Sequence, residues 1–443
     1  MAVVTAPPER ARTRRPIAAD LVVLGTEAVL LGAAVVVGLL LNRRGVGLHA
    51  DAAPLFATWQ PHVGWGTPAA VLIAGAVIGW GVPWARTARW GTLLGAAWLG
   101  SVAWTLALSM VDGWSAGLAE RLTPQAEYLT EVPRVTDIGA LLAGFADRIL
   151  DFQPGSWSTH TAGHPPGALL LFVFLDRIGL GGGAAAGLAC VLIGATVAVS
   201  VPVTLRALGA PDAARATVPF LVLLPGAVWV GASADGIFAA VVAAGVALLV
   251  ARGPALAVGG GLLLGFALYL SYGFVLAGVL AVAALVCRRD RRVAALLAGA
   301  AGVTAVVVAF TVAGFHWWEG YELVVRRYNQ GWAAERPYAY WVWANLAAFV
   351  VSAGPVVGPA LRRAVAGLRE RSPVVLLALA GALAVVGADL SGMSKAEVER
   401  IWLPFAVWAL AAVALLPART HRWWLAGQAL TALAVNHLLW TVS

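Results

Sequence analysis

Apolar runs of bilayer length recur from one end of this chain to the other, and they restrict its fold more than any other feature. Fourteen are recognisable: 21–41, 68–83, 92–110, 166–180, 184–203, 217–232, 236–251, 255–271, 273–287, 293–313, 341–359, 373–388, 401–416 and 423–440. A hydrocarbon core about 30 Å thick is crossed by about 20 apolar residues in a helix. Lipid offers the backbone no hydrogen-bond partner, so only helices and closed barrels span it. The runs lack the two-residue alternation of barrel strands. The fold class is therefore all-α, a polytopic transmembrane helical bundle. A chain that is 60% hydrophobic and 12% charged lies far from soluble composition.

The first run follows "RARTRR" and has no small-residue cleavage site, so it is expected to stay as a span. Cys190 and Cys287 both fall inside apolar runs and read as packing residues, not as a disulfide or metal pair. The net charge of +8 does not argue for nucleic acid, because basic residues of a membrane protein mark its cytoplasmic loops.

That rule also sets the topology. If the 166–180 run crossed the membrane, thirteen arginines of the later loops would lie outside. If it dips in or lies along the surface, the inner side holds 19 basic and 5 acidic residues, and the outer side 11 basic and 16 acidic. The second arrangement is expected: about thirteen spans, N-terminus inside, C-terminus outside, with interfacial helices on the outer face. Arg43 and Arg44 are its misfit and would snorkel to the headgroups. In "HTAGHPPGALLLF" the two prolines suit the first turn of an interfacial or re-entrant helix.

The outer loops concentrate the candidate chemistry. Asp112 lies just past a span, where a rigid carboxylate can act as a general base; an interfacial helix-ending Asp is the competing account. Residues 123–150 read as a surface helix with Leu129, Val132, Val135, Ile138 and Leu142 on its apolar stripe. Glu127, Tyr128 and Glu131 share one end of it, binding substrate or merely covering the bundle. His160 and His164 have the spacing of a zinc pair on a helix, but Gly163 and the prolines argue against a helix at His160, and the missing glutamate further disfavours a metal. Contact with a sugar or phosphate, or a plain turn, remain. Asp235 sits in a very short turn, where an acid needs a task or a partner or serves as an N-cap. Lys395, Glu397, Glu399 and Arg400 crowd the start of a late span. Arg400 there suits a bidentate phosphate clamp, with flanking salt bridges as the alternative. Arg326 and Arg327 are reserve phosphate ligands amid the tryptophans and tyrosines of 314–340.

Taken together, these motifs resemble the GT-C-type superfamily of integral membrane glycosyltransferases. The residues that carry the likeness are Asp112 in the first large outer loop, "GHPPGALLLF", Asp235 in "SADGIF" and Arg400 in "ERIWLP". Two departures stand out: two spans precede that of Asp112, which makes Asp51 a rival base, and Ile401-Trp402 replaces an expected tyrosine after Arg400. The resemblance covers roughly residues 91–416. It implies one integral membrane domain over 1–443, with N-terminal spans in 1–90, a GT-C-like module in 91–416 with its outer loop at 111–165, and a C-terminal span in 417–443.

The resemblance also implies a partner set and roles. The donor would be a polyprenyl-phosphate sugar, and the acceptor a cell-envelope glycan or lipoglycan on the outer face of the cell membrane. The type would be actinobacterial, with arabinosyl, mannosyl or methylthioxylosyl transfer. Asp112 would be catalytic, Arg400 with Lys395 and His164 would hold the departing phosphate, and Glu127, Tyr128, His160, Asp235 and Glu399 would complete the substrate-binding set. No cofactor is implied with certainty; a divalent cation bridging Asp112 and Asp235 has no ligand cluster behind it. The rival class is a lipid-linked sugar flippase or other multi-pass transporter, which would show inverted repeats and midplane charge. Neither is evident, apart from Glu27 in the first span.

Overall fold

Why do so many apolar runs become a bundle instead of a row of independent spans? Their small residues let backbones meet. A side chain on Gly261 would lie 2.0 Å from the Gly299 carbonyl oxygen, so Pro254–Ala267 and Arg292–Val312 pack with their backbones touching. In lipid, such close packing replaces the hydrophobic drive between helices. The computed structural model describes the backbone of residues 9–441 and the side chains of residues 17–441. It is helical almost throughout. Among the described residues the one sheet is a two-stranded antiparallel pair, Ala57–Trp59 with Leu439–Thr441.

Among the described residues, six helices are long and apolar enough to cross a membrane: Ile17–Arg43, Gly66–Thr87, Trp90–Ser109, Gly183–Ala207, Arg292–Val312 and Pro373–Leu390. The number reaches eight if each of two bent pairs counts as one span: Tyr338–Ala353 with Val357–Ala366, at 101°, and Leu403–Leu415 with Ala418–Leu438, at 117°. Asp235–Val250, Pro254–Ala267 and Tyr272–Cys287 are apolar but shorter. Full-length helices thus number fewer than the thirteen crossings expected. Proline and glycine are the reason. Pro225-Gly226, for example, separate Pro211–Val222 from Ala227–Val230 inside what reads as one run.

The segment around 166–180 forms the helix Pro166–Arg177, with Pro166 at its first turn. Twelve residues extend about 18 Å, too short for the hydrocarbon core. The ends of its neighbours fix its course. Gly183, at the start of the next long helix, abuts Ala119, near Asp112. The far end of that helix brings Arg206 over the Trp90 ring at 4.5 Å, and Arg215 donates to the carbonyls of Ala85 and Ala88 at 2.8 and 2.9 Å. The chain therefore enters and leaves Pro166–Arg177 at one end of the bundle.

The continuous surface helix expected over 123–150 is absent. Short turns at Tyr128–Thr130, Val132–Arg134 and Ala146–Arg148 flank a single six-residue helix, Ile138–Ala143. Pro133 and Gly144 interrupt the pattern, and Asp137 caps the short helix by accepting from the Ala140 N–H at 2.6 Å. Conversely, His160 does lie in a helical turn, Thr159–Gly163, which ends at His164 ahead of the prolines.

The core surrounds Asp235–Val250. Thirteen of its sixteen residues are buried, and it packs against Gly183–Gly194, Val197–Ala207, Pro254–Ala267 and Leu403–Ala409. The first span instead lies on the periphery. Only a narrow face is covered, with Asp20, Glu27 and Ala34 buried at heptad spacing. Asp20 pairs with Arg362 and Arg363 at 2.6 and 2.7 Å, Glu27 accepts the Gly358 N–H, and Tyr340 donates to the Ala34 carbonyl.

Candidate active site

Asp235 begins the central helix and is 4% exposed. An acid there needs a partner, and the partner is Arg400, 165 positions later, whose Nη1 lies 2.8 Å from its Oδ2. Arg400 is held in a single helical turn, Val398–Ile401, at the head of Leu403–Ala409. Its other terminal nitrogen bonds Glu397. Glu397 in turn meets Arg336 at 3.4 Å. Arg336 also binds the carbonyls of Leu48, His49 and Lys395. Glu397 and Arg400, three apart, are thus tied into a chain of alternating charge: Asp235, Arg400, Glu397, Arg336.

The electrostatics follow from burial and charge together. Burial opposes ionisation of Glu397, but Arg400 and Arg336 overcome it and draw its carboxyl down to about 2. Burial likewise opposes the Arg400 charge, yet Glu397, Asp235 and Glu127 raise its pKa. Glu399 behaves oppositely. Burial pushes its carboxyl up to about 7, against the N–H of Phe56, which donates to Oε1 at 2.8 Å. Its Oε2 is buried with no hydrogen-bond partner among the described residues, and so is Nε of Arg400.

A second part of the network comes from the loop before Pro166–Arg177. Buried Glu127 meets His160 Nδ1 at 2.7 Å. His164 Nδ1 faces both the Tyr128 hydroxyl and the His160 carbonyl at 2.9 Å. A carbonyl only accepts, so Nδ1 carries the proton and Nε2 the lone pair. Burial lowers the His164 pKa to about 4, so the ring is neutral near pH 7. Tyr128, raised well above its ordinary value by burial and then Glu127, remains a phenol stacked on Phe172. The charges of Asp235 and Arg400 act on both His164 and Tyr128, and that of His160 acts on Glu397. Glu127, Tyr128, His160, His164, Asp235 and Arg400 are therefore brought together.

Lys395 lies at the margin. Its ammonium donates to the Arg336 carbonyl at 3.1 Å and sits 5.7 Å from the Tyr328 ring centroid. Burial, then Arg336, lowers its pKa.

Asp112 belongs to a different group. Its Oδ1 accepts from His62 Nε2 at 2.6 Å and its Oδ2 from Arg121 Nη2 at 2.8 Å. His62 Nδ1 faces the Gln60 carbonyl at 2.7 Å, so the ring is arranged to donate from both nitrogens. Arg121 also bonds the Thr441 carbonyl and lies 5.2 Å from the Trp440 ring centroid. The strand pair links the two groups: Arg121 reaches Thr441, Thr441 pairs with Ala57, and the neighbouring Phe56 holds Glu399.

The reserve residues are placed elsewhere. Arg327 pairs with Asp151 at 2.7 Å, and Asp51 is exposed in a turn. Sequence reasoning passed over His62, Arg121 and Arg336. His62 and Arg336 each precede or follow a proline between apolar runs, a weak signal that local spacing cannot raise. Among the described residues, no group of three His, Cys, Asp or Glu side chains is arranged to hold a metal ion.

No family model matches the chain, and no curated protein matches it. Among solved structures, the crystal structure of ArnT from Cupriavidus metallidurans in the apo state is similar, at 17% identity and a TM-score of 0.41. The match covers 66% of this chain and 54% of that one, so the chain spans about half the length of that protein.

Proposed function

We propose that the protein is a membrane glycosyltransferase of the GT-C type, moving a sugar from a polyprenyl-phosphate donor to an envelope glycan or lipoglycan hydroxyl on the outer face. One observation carries the reading: a buried network of alternating charge with open valences, gathered at one end of a lipid-facing bundle. Lipid-linked sugars require such a combination, because the reacting centre is polar and the rest of the donor is hydrocarbon. The arginines gathered at the opposite end support reading that end as cytoplasmic.

In the reaction an acceptor oxygen attacks the anomeric carbon, the carbon–oxygen bond to phosphate breaks, and polyprenyl phosphate leaves with the electron pair. The hydroxyl proton passes to Asp112. His62 and Arg121 each occupy one lone pair of its oxygens and leave others open. Lys395 takes the phosphate charge, since only one of its three N–H groups is engaged by Arg336. Arg400, whose terminal nitrogens are already bound to Asp235 and Glu397, orders those carboxylates and offers Nε. Cationic groups fixed where charge develops lower the barrier. Neutral His164, with Glu127, His160, Tyr128 and Glu399, suits sugar hydroxyls better than phosphate. Arabinosyl, mannosyl or methylthioxylosyl transfer of the actinobacterial envelope type are the narrower readings.

The test is sugar transfer from a polyprenyl-phosphate donor by purified, folded protein. D112N and R400A should each lose roughly 100-fold or more. Full activity in both would overturn the assignment, and donor translocation without transfer would favour the flippase.

A further inference from the structure

The bundle end remote from Asp112 carries a cleft that the proposed chemistry does not use. Val82, Pro83 and Arg86 line one wall, and Ala418, Arg419 and Arg422 the other, around about 270 Å³. The volume is somewhat below that of drug-sized ligand pockets and suits a headgroup. Its position follows from its helices. Gly66–Thr87 starts beside Asp112, where the Gly66 N–H donates to the Met110 carbonyl, and ends at Arg86. His421–Leu438 starts at the cleft and ends beside Thr67, which meets His437 at 2.8 Å. Trp90–Ser109 runs alongside and is about 30 Å long, so cleft and Asp112 lie a bilayer apart.

Three features make this an anion site. All three arginines are exposed, and no carboxylate occurs in residues 52–111 or 401–443, the segments that build the cleft. Among the described residues neither Arg86 nor Arg419 has an acidic partner, while Arg422 is steadied by the Gly79 carbonyl at 2.9 Å. The first turn of the 18-residue helix His421–Leu438 forms part of the wall. Thr420 adds no side-chain cap, and the turn presents the positive end of the helix dipole to the cleft. Residues next to the lining in sequence suit the lipid boundary: Trp80, Trp84 and Trp423 are 72%, 41% and 80% exposed, as befits headgroup level.

We infer that this cleft binds the phosphate of an anionic phospholipid headgroup, held by Arg86, Arg419 and Arg422, with the tryptophans against the acyl–headgroup boundary. The inference is independent of the reaction assigned to the opposite end.

The experiment measures bound lipid by native mass spectrometry of the full chain, titrated with phosphatidylglycerol, phosphatidylcholine or inorganic phosphate. Wild type should retain phosphatidylglycerol in preference to phosphatidylcholine, and matched inorganic phosphate should not displace it. R86Q/R419Q keeps the Arg422 tie to Gly79 and should lower phosphatidylglycerol occupancy roughly tenfold. The charge-matched control R369Q/R371Q, on an exposed loop elsewhere, should leave it unchanged. Equal loss in both double variants, or no preference between the lipids, would overturn the inference. Full displacement by inorganic phosphate would overturn its lipid part. Thermal unfolding of each variant checks that the fold is retained.

Discussion

Two ion clusters, each centred on one buried charge, are built on opposite plans. Around Asp20, one carboxylate is gripped by two arginines. Arg362 and Arg363 each direct Nε and Nη2 at its oxygens over 2.6–3.1 Å. Around Arg400, one guanidinium serves two acids, and open valences remain at Nε and at the neighbouring Glu399 Oε2. A closed cluster fastens the first span to the bundle. An open one keeps polar groups buried at a cost that stability alone does not repay, as expected where a ligand completes the set. The Asp112 group shows the same openness at Arg121 Nε.

The largest contrast should come from breaking each cluster at its centre. R400A leaves Asp235 buried and unpaired and Glu397 with Arg336 alone, so we expect a stability loss of about 3–5 kcal/mol and no measurable transfer. D20N keeps the shape and releases two arginines that are only part-buried; about 1–3 kcal/mol should be lost, with transfer within about threefold of wild type. Thermal unfolding and the transfer assay, run on both variants, check this. Equal catalytic damage from the two would erase the distinction.

Next in size is D112N, expected to lose roughly 100-fold in transfer with little change in unfolding temperature. H62Q should reproduce part of that loss, since His62 positions Asp112 at 2.6 Å; its effect should fall on kcat more than on KM. Unchanged kinetics in H62Q would detach His62 from the site.

The smallest effect is a pH signature. The folded Glu399 carboxyl titrates near 7 against an ordinary 4.5. The folded state therefore holds an extra proton, and the associated stability is present below about 4.5 and lost as pH rises through 7. E399Q cannot titrate. The unfolding temperature of wild type relative to E399Q should fall between pH 5 and pH 8. His164, lowered to about 4, loses stability in the opposite direction as pH falls from 6.5, but it is common to both proteins and cancels. A constant difference would place Glu399 outside the buried network.

How much of this could be read from the chain? The helical membrane class was legible because lipid leaves a long apolar run few options. The course of Pro166–Arg177 was legible because arginines record sidedness, and Arg206 and Arg215 do lie beside Trp90. The surface helix over 123–150 was misread because apolar spacing survives in a chain of turns once Pro133 and Gly144 break it. The pairing of Asp235 with Arg400 had no sequence signal. Asp235 was marked as costly to bury, but the solution to that cost lies 165 positions away. Separations of 50 and 61 positions likewise hide His62 from Asp112 and Arg336 from Glu397. Local motifs announced that polar groups were needed, and only packing decided which of them neutralise each other.

The most direct measurement compares transfer from a polyprenyl-phosphate sugar by wild type, D235N and D20N, each confirmed folded. The account predicts that D235N loses roughly 100-fold or more while D20N stays close to wild type. Activity preserved in D235N, or lost equally in D20N, would contradict it.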